Sequence, residues 1–262
     1  NILMSGFVNA HAHNAMSLFR GIKNDVDLQT WLFDHVFEAE KKLLPQDVYW
    51  GELLGICEGL KSGITSFEEN YFYFPSVIKA IESARVRARV GIGREKNSQG
   101  ITKDLQNALK LFSKSNPLIK PVVYPHSIYT EEEKELEEYV GFAKKHNLPL
   151  STHLSETLEE VGECTAKNNG KSPVEYLEDL GFFDRFCTLY HCVHMDKDDV
   201  KILKNYNVNV VSCPSSNLKL ASGIAPLNSF LANNINLALG TDGPASNDSL
   251  NPFKEMFLVV IQ

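Results

Sequence analysis

The 262-residue sequence predicts a (β/α)8 TIM barrel, an α/β fold of eight parallel strands alternating with helices. Three observations point there. Eight short apolar runs rich in Val, Ile and Phe alternate with longer segments of helical period. The length sits near the roughly 250 residues typical of such barrels. Polar, chemistry-bearing side chains also stand just past the apolar runs, where a barrel gathers its strand ends at one mouth. A doubly wound open sheet is the alternative, and the placement of those side chains argues against it.

In chain order, strands are expected at Met4–Asn9, Ile64–Glu68, Arg87–Gly93, Lys120–Pro125, Pro149–His153, Cys187–His191, Val208–Cys213 and Ile235–Thr241. Between them, Asp47–Lys61 reads as a helix with Trp50, Leu53, Leu54, Cys57 and Leu60 on its apolar face. Glu131–His146 reads as a helix whose first-turn glutamates complement the positive end of its dipole. No linker, repeat or low-complexity stretch divides the chain, so residues 1–262 read as one barrel domain. The chain opens without Met, directly on an apolar run, and is therefore read as a fragment of a longer protein.

Composition narrows the function. With 43% hydrophobic and 23% charged residues, this is the make-up of a soluble globular chain. A net charge of −7 supplies no cationic surface, which excludes nucleic acid or an anionic membrane as the main partner and leaves small molecules. There is no apolar run of about 18 residues and no signal-peptide pattern. Cys57, Cys164, Cys187, Cys192 and Cys213 are scattered without a CxxC pair, so they read as reduced thiols of a cytoplasmic protein.

The residues past the strands carry the chemistry. His11 and His13 follow the first run, Glu69 the second, Arg94 the third and His126 the fourth. The fifth ends in His153 with Glu156 beyond it, the sixth in His191, and the eighth is followed by Asp242. Five of the eight histidines thus stand at strand ends. At an extended strand end, residues i and i+2 share a side, so His11 and His13 can reach one cation. Each residue alone has a plainer reading: capping histidines, a core histidine at 153, a turn-forming Asp242 before Gly243, a helix-start acid at 156. Together, three histidines and a carboxylate make a zinc-type N/O set with room for water. Glu156, three residues after His153, reads as a general acid/base beside that site.

His11, His13, His153, Glu156, His191 and Asp242 lie in stretches that resemble the amidohydrolase superfamily, and within it the 5′-methylthioadenosine/S-adenosylhomocysteine deaminases. The stretches are Gly6–Gly21 (GFVNAHAHNAMSLFRG), Asp27–Leu43, Ser151–Val161 (STHLSETLEEV), Tyr190–Met195, Asn217–Pro226 and Gly240–Leu250 (GTDGPASNDSL). The resemblance implies one zinc per subunit, with iron as the alternative, held by His11, His13, His153 and Asp242. His191 would orient the attacking water without ligating, and His126 stands where two-metal members carry a bridging lysine. Catalysis would rest on Glu156, His191 and Asp242, with hydrolytic deamination of an adenosine-type nucleoside as the reaction. Trp31, Glu40, Arg94, His126, Glu156 and Ser246 would contact the substrate: Glu40 the ribose hydroxyls, Trp31 the 5′ substituent, Ser246 the purine edge.

The resemblance also implies a flanking β-sandwich, which this sequence does not contain, and allows a homo-oligomer. The homocysteine-binding members use two arginines; Arg94 falls about two residues from the first position, and Lys103 or Asp104 occupies the second. That departure favours 5′-methylthioadenosine, 5′-deoxyadenosine or adenosine over S-adenosylhomocysteine. A relative acting on a free base or a triazine, and a catalytically silent nucleoside-binding barrel, are the competing readings.

Overall fold

The computed structural model describes residues 3–261, so the ends of the expected domain, Asn1, Ile2 and Gln262, lie outside them. Eight strands form one parallel sheet in chain order: β1 Phe7–Ala12, β2 Ile64–Glu69, β3 Arg87–Ile92, β4 Ile119–Val123, β5 Leu150–Leu154, β6 Cys187–His191, β7 Val208–Ser212 and β8 Asn236–Leu239. β8 returns to β1 and nearly closes a barrel. At that seam the Asp242 N–H donates to the His11 carbonyl at 3.0 Å, and the Asn9 carboxamide exchanges hydrogen bonds of 2.7 and 2.9 Å with Thr241. Gly240 makes the approach possible. A Cβ there would stand 2.7 Å from His11 Cβ and 2.9 Å from its backbone nitrogen.

Two apolar layers pack the outer faces of the strands against the helices, one around Ile92, Leu105, Leu150 and Leu177, the other around Ile56, Ile64, Ile81 and Val90. Inside the barrel lies a smaller cluster of Tyr124, Tyr190, Val211 and Cys213. Below it Glu68 is buried, accepting from the Tyr190 hydroxyl at 2.6 Å and pairing with Arg89 at 3.3 Å.

Four expectations need correction. The first strand runs Phe7–Ala12, not Met4–Asn9, because pairing decides it: Phe7 stands opposite Ile64 and Ala12 opposite Glu69, whereas Leu3 and Met4 are exposed. The last strand stops at Leu239, since Gly240–Asp242 turns into the mouth. The helix after β1 spans Pro45–Lys61, but its expected apolar face points outward, with Trp50 57% and Leu54 54% exposed. Its inner face is Gly51, Gly55 and Gly59 with Val48, Glu52 and Ile56. The turn Asn14–Phe19 runs so close beneath that a Cβ on Gly55 would lie 2.7 Å from Asn14 Cβ, and one on Gly51 2.6 Å from the Ala15 carbonyl. Hydrophobic periodicity cannot register contact made by bare backbone.

The helix expected from Glu131 begins at Glu133, which leaves Glu131 in the loop beside Arg94. No helix among the described residues is long and apolar enough to cross a membrane.

Candidate functional site

The strand ends turn sharply as they enter the mouth. Ser155, His191 and Asp242 all have positive φ, of 49°, 68° and 57°. Left-handed non-glycine residues cost about 1–3 kcal/mol each and collect where function requires the geometry. Here they follow β5, close β6 and follow β8, the same strand ends that carry His153, His191 and Asp242.

Five side chains meet there. His11 Nε2 lies 3.3 Å and His13 Nε2 3.4 Å from Asp242 Oδ1. One donor atom each from His11, His153, His191 and Asp242 fall within 4.8 Å of one another. The His11 ring centroid is 4.7 Å from that of His13 and 4.9 Å from that of His153. All five residues are buried.

The imidazoles are held from behind, through Nδ1. His13 donates to the Asn70 carbonyl at 2.5 Å, His153 to the His126 carbonyl at 2.8 Å, and His191 to Asn217 Oδ1 at 2.7 Å. A proton fixed on Nδ1 leaves the Nε2 lone pair free for the centre. The Asn70 carboxamide nitrogen lies 3.3 Å from His11 Nδ1, with Asn70 Oδ1 buried and unpartnered. Ligation through His11 Nε2 requires Nδ1 to donate, so the carboxamide then presents its oxygen instead. Asp242 Oδ2 accepts from Ser216 at 2.6 Å and Ser246 at 2.7 Å, which leaves Oδ1 to the histidines.

Electrostatics agree with a cation site. Burial, reinforced by neighbouring imidazoles, lowers His11 to about 3 and drives His153 well below the usual range; burial also lowers His13. Neutral rings keep their lone pairs. Burial pushes Asp242 upward, yet the histidines facing its Oδ1, His11 foremost, bring it well below the ordinary carboxylate value, so it stays charged. His11 Nε2 is a buried nitrogen with no hydrogen-bond partner. That orphaned atom, the neutral rings and the one carboxylate fit a zinc-type ion held by three nitrogens and an oxygen.

Glu156 stands beside this group, its Oε1 3.6 Å from His191 Nδ1 and 3.5 Å from Ser222 Oγ. Burial and the Asp242 charge hold its carboxyl well above the usual range, leaving a proton to give. Glu160 fixes the turn, accepting from the Ser155 and Glu156 N–H groups at 2.9 and 2.8 Å.

The histidines open into a cavity of about 270 Å³, lined also by Trp31, Glu40, Arg94, His126 and Glu156. Trp31 lies on a π-helix, Thr30–Val36, a form that recurs at functional sites. Glu40 accepts from the Tyr71 hydroxyl at 2.7 Å, and burial raises it to about 7. Ser246 is not among the lining residues; its hydroxyl serves Asp242. A larger hollow, about 420 Å³, opens at the opposite end between Val8, Arg89 and Phe186, and no member of the histidine cluster lines it.

A sequence model described as the amidohydrolase family matches residues 2–261. The chain belongs to the amidohydrolase family. This amidohydrolase is 43% identical over 261 residues to a 5-methylthioadenosine/S-adenosylhomocysteine deaminase of Thermoanaerobacter pseudethanolicus, covering 97% of this chain and 60% of the relative. It is 40% identical over 265 residues to a 5′-deoxyadenosine deaminase of Methanococcus vannielii, covering 97% and 62%. The crystal structure of an adenosine deaminase from Xanthomonas campestris with bound zinc superposes with a TM-score of 0.92 at 33% identity, over 98% of this chain and 60% of that one. A guanine deaminase structure from C. acetobutylicum, at 22% identity and a TM-score of 0.88 over 98% of this chain and 65% of that one, shares the fold. The chain spans about three fifths of the length of the curated relatives it matches. Asn70, Asn217, Ser216 and Glu160 carry no role in the sequence analysis, although Asn217 and Glu160 lie in the stretches it quotes and Asn70 directly follows β2.

Proposed function

We propose that this amidohydrolase is a zinc-dependent hydrolytic deaminase of an adenosine-type nucleoside, releasing ammonia and the inosine analogue. The carrying observation is the gathering of His11, His13 and His153, which burial holds neutral, around the Asp242 carboxylate, with Glu156 beside them, its carboxyl held well above the usual range by burial. A bound zinc would be held by His11, His13, His153 and Asp242, and would supply a water acidified to near neutrality.

The chain's own residues do the rest. His191 donates through Nδ1 to Asn217, so its Nε2 faces the centre and can accept a hydrogen bond from the attacking water. Asp242 Oδ1, with its partner oxygen occupied by two serines, takes up that water's proton. Glu156 protonates ring N1 as the oxygen adds to C6, and later relays a proton to the departing amine. Glu40 receives the ribose hydroxyls, and Trp31 walls the 5′ end. The five cysteines of the chain are free, in keeping with a reducing, cytoplasmic setting.

Ammonia release from a panel of 5′-substituted adenosines by the zinc-loaded protein tests the proposal. Release from several of them, absent after chelation, supports it. Release only from free bases or triazines, or binding without release, replaces it with one of the competing readings.

A further inference from the structure

We infer that the cavity selects adenosines whose 5′ substituent bears no carboxylate, and that Glu131 and Glu135 enforce this by occupying Arg94. The inference rests on the nucleoside-deaminase reading and narrows its substrate class.

Charge at the cavity wall carries the argument. Among the described lining residues, Arg94 is the one permanent cation, and Glu131 lines the cavity beside it. Arg94 follows β3, and the loop after β4 brings Glu131 to its guanidinium at 2.9 Å. Glu135, from the first turn of helix Glu133–His146, reaches the same Nη2 at 2.5 Å. The Glu131 side chain is only 4% exposed, so its charge is poorly screened.

A ligand carboxylate arriving here meets one guanidinium already shared by two carboxylates. The local charge is net negative. Lys96, the next cation along the chain, offers nothing, because its ammonium donates to the carbonyls of Glu40, Lys41 and Leu43 at 2.7–2.9 Å. The remaining wall is aromatic. Phe37 packs edge-on to His126 with ring centroids 6.4 Å apart, and Trp31, Phe72 and Phe74 line the same cavity. A methyl or thioether group gains from that surface, whereas an amino-acid carboxylate is desolvated against acids.

The test compares kcat/KM of the zinc-loaded protein for 5′-methylthioadenosine, S-adenosylhomocysteine and the carboxyl methyl ester of the latter, read as ammonia release. The expected order places the methylthio compound roughly 100-fold above S-adenosylhomocysteine, with the ester recovering most of the gap. The ester removes the carboxylate while keeping the bulk and the ammonium. Equal turnover of the first two, or an ester no better than the free acid, overturns the inference while leaving the deaminase reading intact. No release from any of the three overturns the inference, and no release from 5′-deoxyadenosine and adenosine as well removes the deaminase reading.

Glu131→Gln with Glu135→Gln should raise the ratio of S-adenosylhomocysteine to methylthioadenosine turnover by about 10-fold or more, and adding Arg94→Met should cancel the rise. A ratio that stays put in the glutamine variant, with folding confirmed by circular dichroism, counts against the clamp.

Discussion

The two sides of the barrel mouth are built by different means. On the side of β1, β5, β6 and β8, His11, His13, His153, His191 and Asp242 rise from strand ends, and backbone carbonyls, carboxamides or hydroxyls fix each from behind. On the side of β2, β3 and β4, the wall comes from loops and a π-helix, and its charge is settled by long side chains pairing with one another. The first side is rigid because strand register and buried hydrogen bonds position it. The second is adjustable because exposed arms such as Arg94 can exchange partners. A reaction shared across a family needs the first, and substrate choice within it can be set by the second.

Variants on the strand-end side should therefore be severe and affect all substrates alike, whereas those on the loop side should discriminate. The largest effect is expected for His153→Ala, which removes a ligand and leaves the other rings uncompensated: metal analysis should find zinc at background, with activity lost. Full occupancy in that variant would contradict the ligand set. Glu156→Gln comes next, with kcat down by ~10²- to 10⁴-fold and zinc retained, as loss of a proton donor implies. Unchanged turnover would remove Glu156 from the mechanism.

Asn70→Ala should weaken zinc binding by ~10- to 100-fold, measured by competition with a chelator, since this one residue backs both His11 and His13. The His13 bond is to the Asn70 main chain and survives the substitution, so the loss reports on the carboxamide's contacts with His11 and the Tyr190 hydroxyl. An affinity equal to that of the parent protein would show that His11 needs no such support.

The smallest effect sharpens the loop side. Glu40 is raised to about 7 in the fold against an ordinary 4.5, with burial the leading cause. A carboxyl raised on folding gives stability that is complete below about pH 4.5 and lost as pH rises toward 7. Glu40→Gln keeps an acceptor for the Tyr71 hydroxyl, so urea melts between pH 5 and pH 8 should show a flatter profile than the parent, with KM for nucleosides raised. A profile as steep as the parent's would mean that Glu40 is charged throughout.

Fold and site were not equally legible. Seven of the eight strands appeared in the sequence within a few residues, because buried parallel strands are continuous apolar runs bounded by turn residues. The first slipped because Leu3 and Met4 are apolar but unpaired, and only β2 could set the register. The Pro45–Lys61 helix was located and its face inverted, since Gly51 and Gly55 bury backbone instead of side chains. The residues gathered at the centre were readable because chemistry at strand ends leaves a regular signature. Asn217, Ser216 and Glu160 were not, because an orienting hydrogen bond needs only a polar atom nearby and marks no pattern in the chain.

Sequence alone determined the barrel, the histidines and carboxylates available to a metal, and the acid beside them, because these follow from local periodicity and from residue types recurring where strands end. Tertiary structure decided which nitrogen of each ring is free, which oxygen of Asp242 faces the centre, and that Arg94 is already taken. Those depend on partners tens to hundreds of residues away in the chain, and ring tautomers, carboxylate faces and ion pairs form only once folding brings the partners within hydrogen-bonding distance.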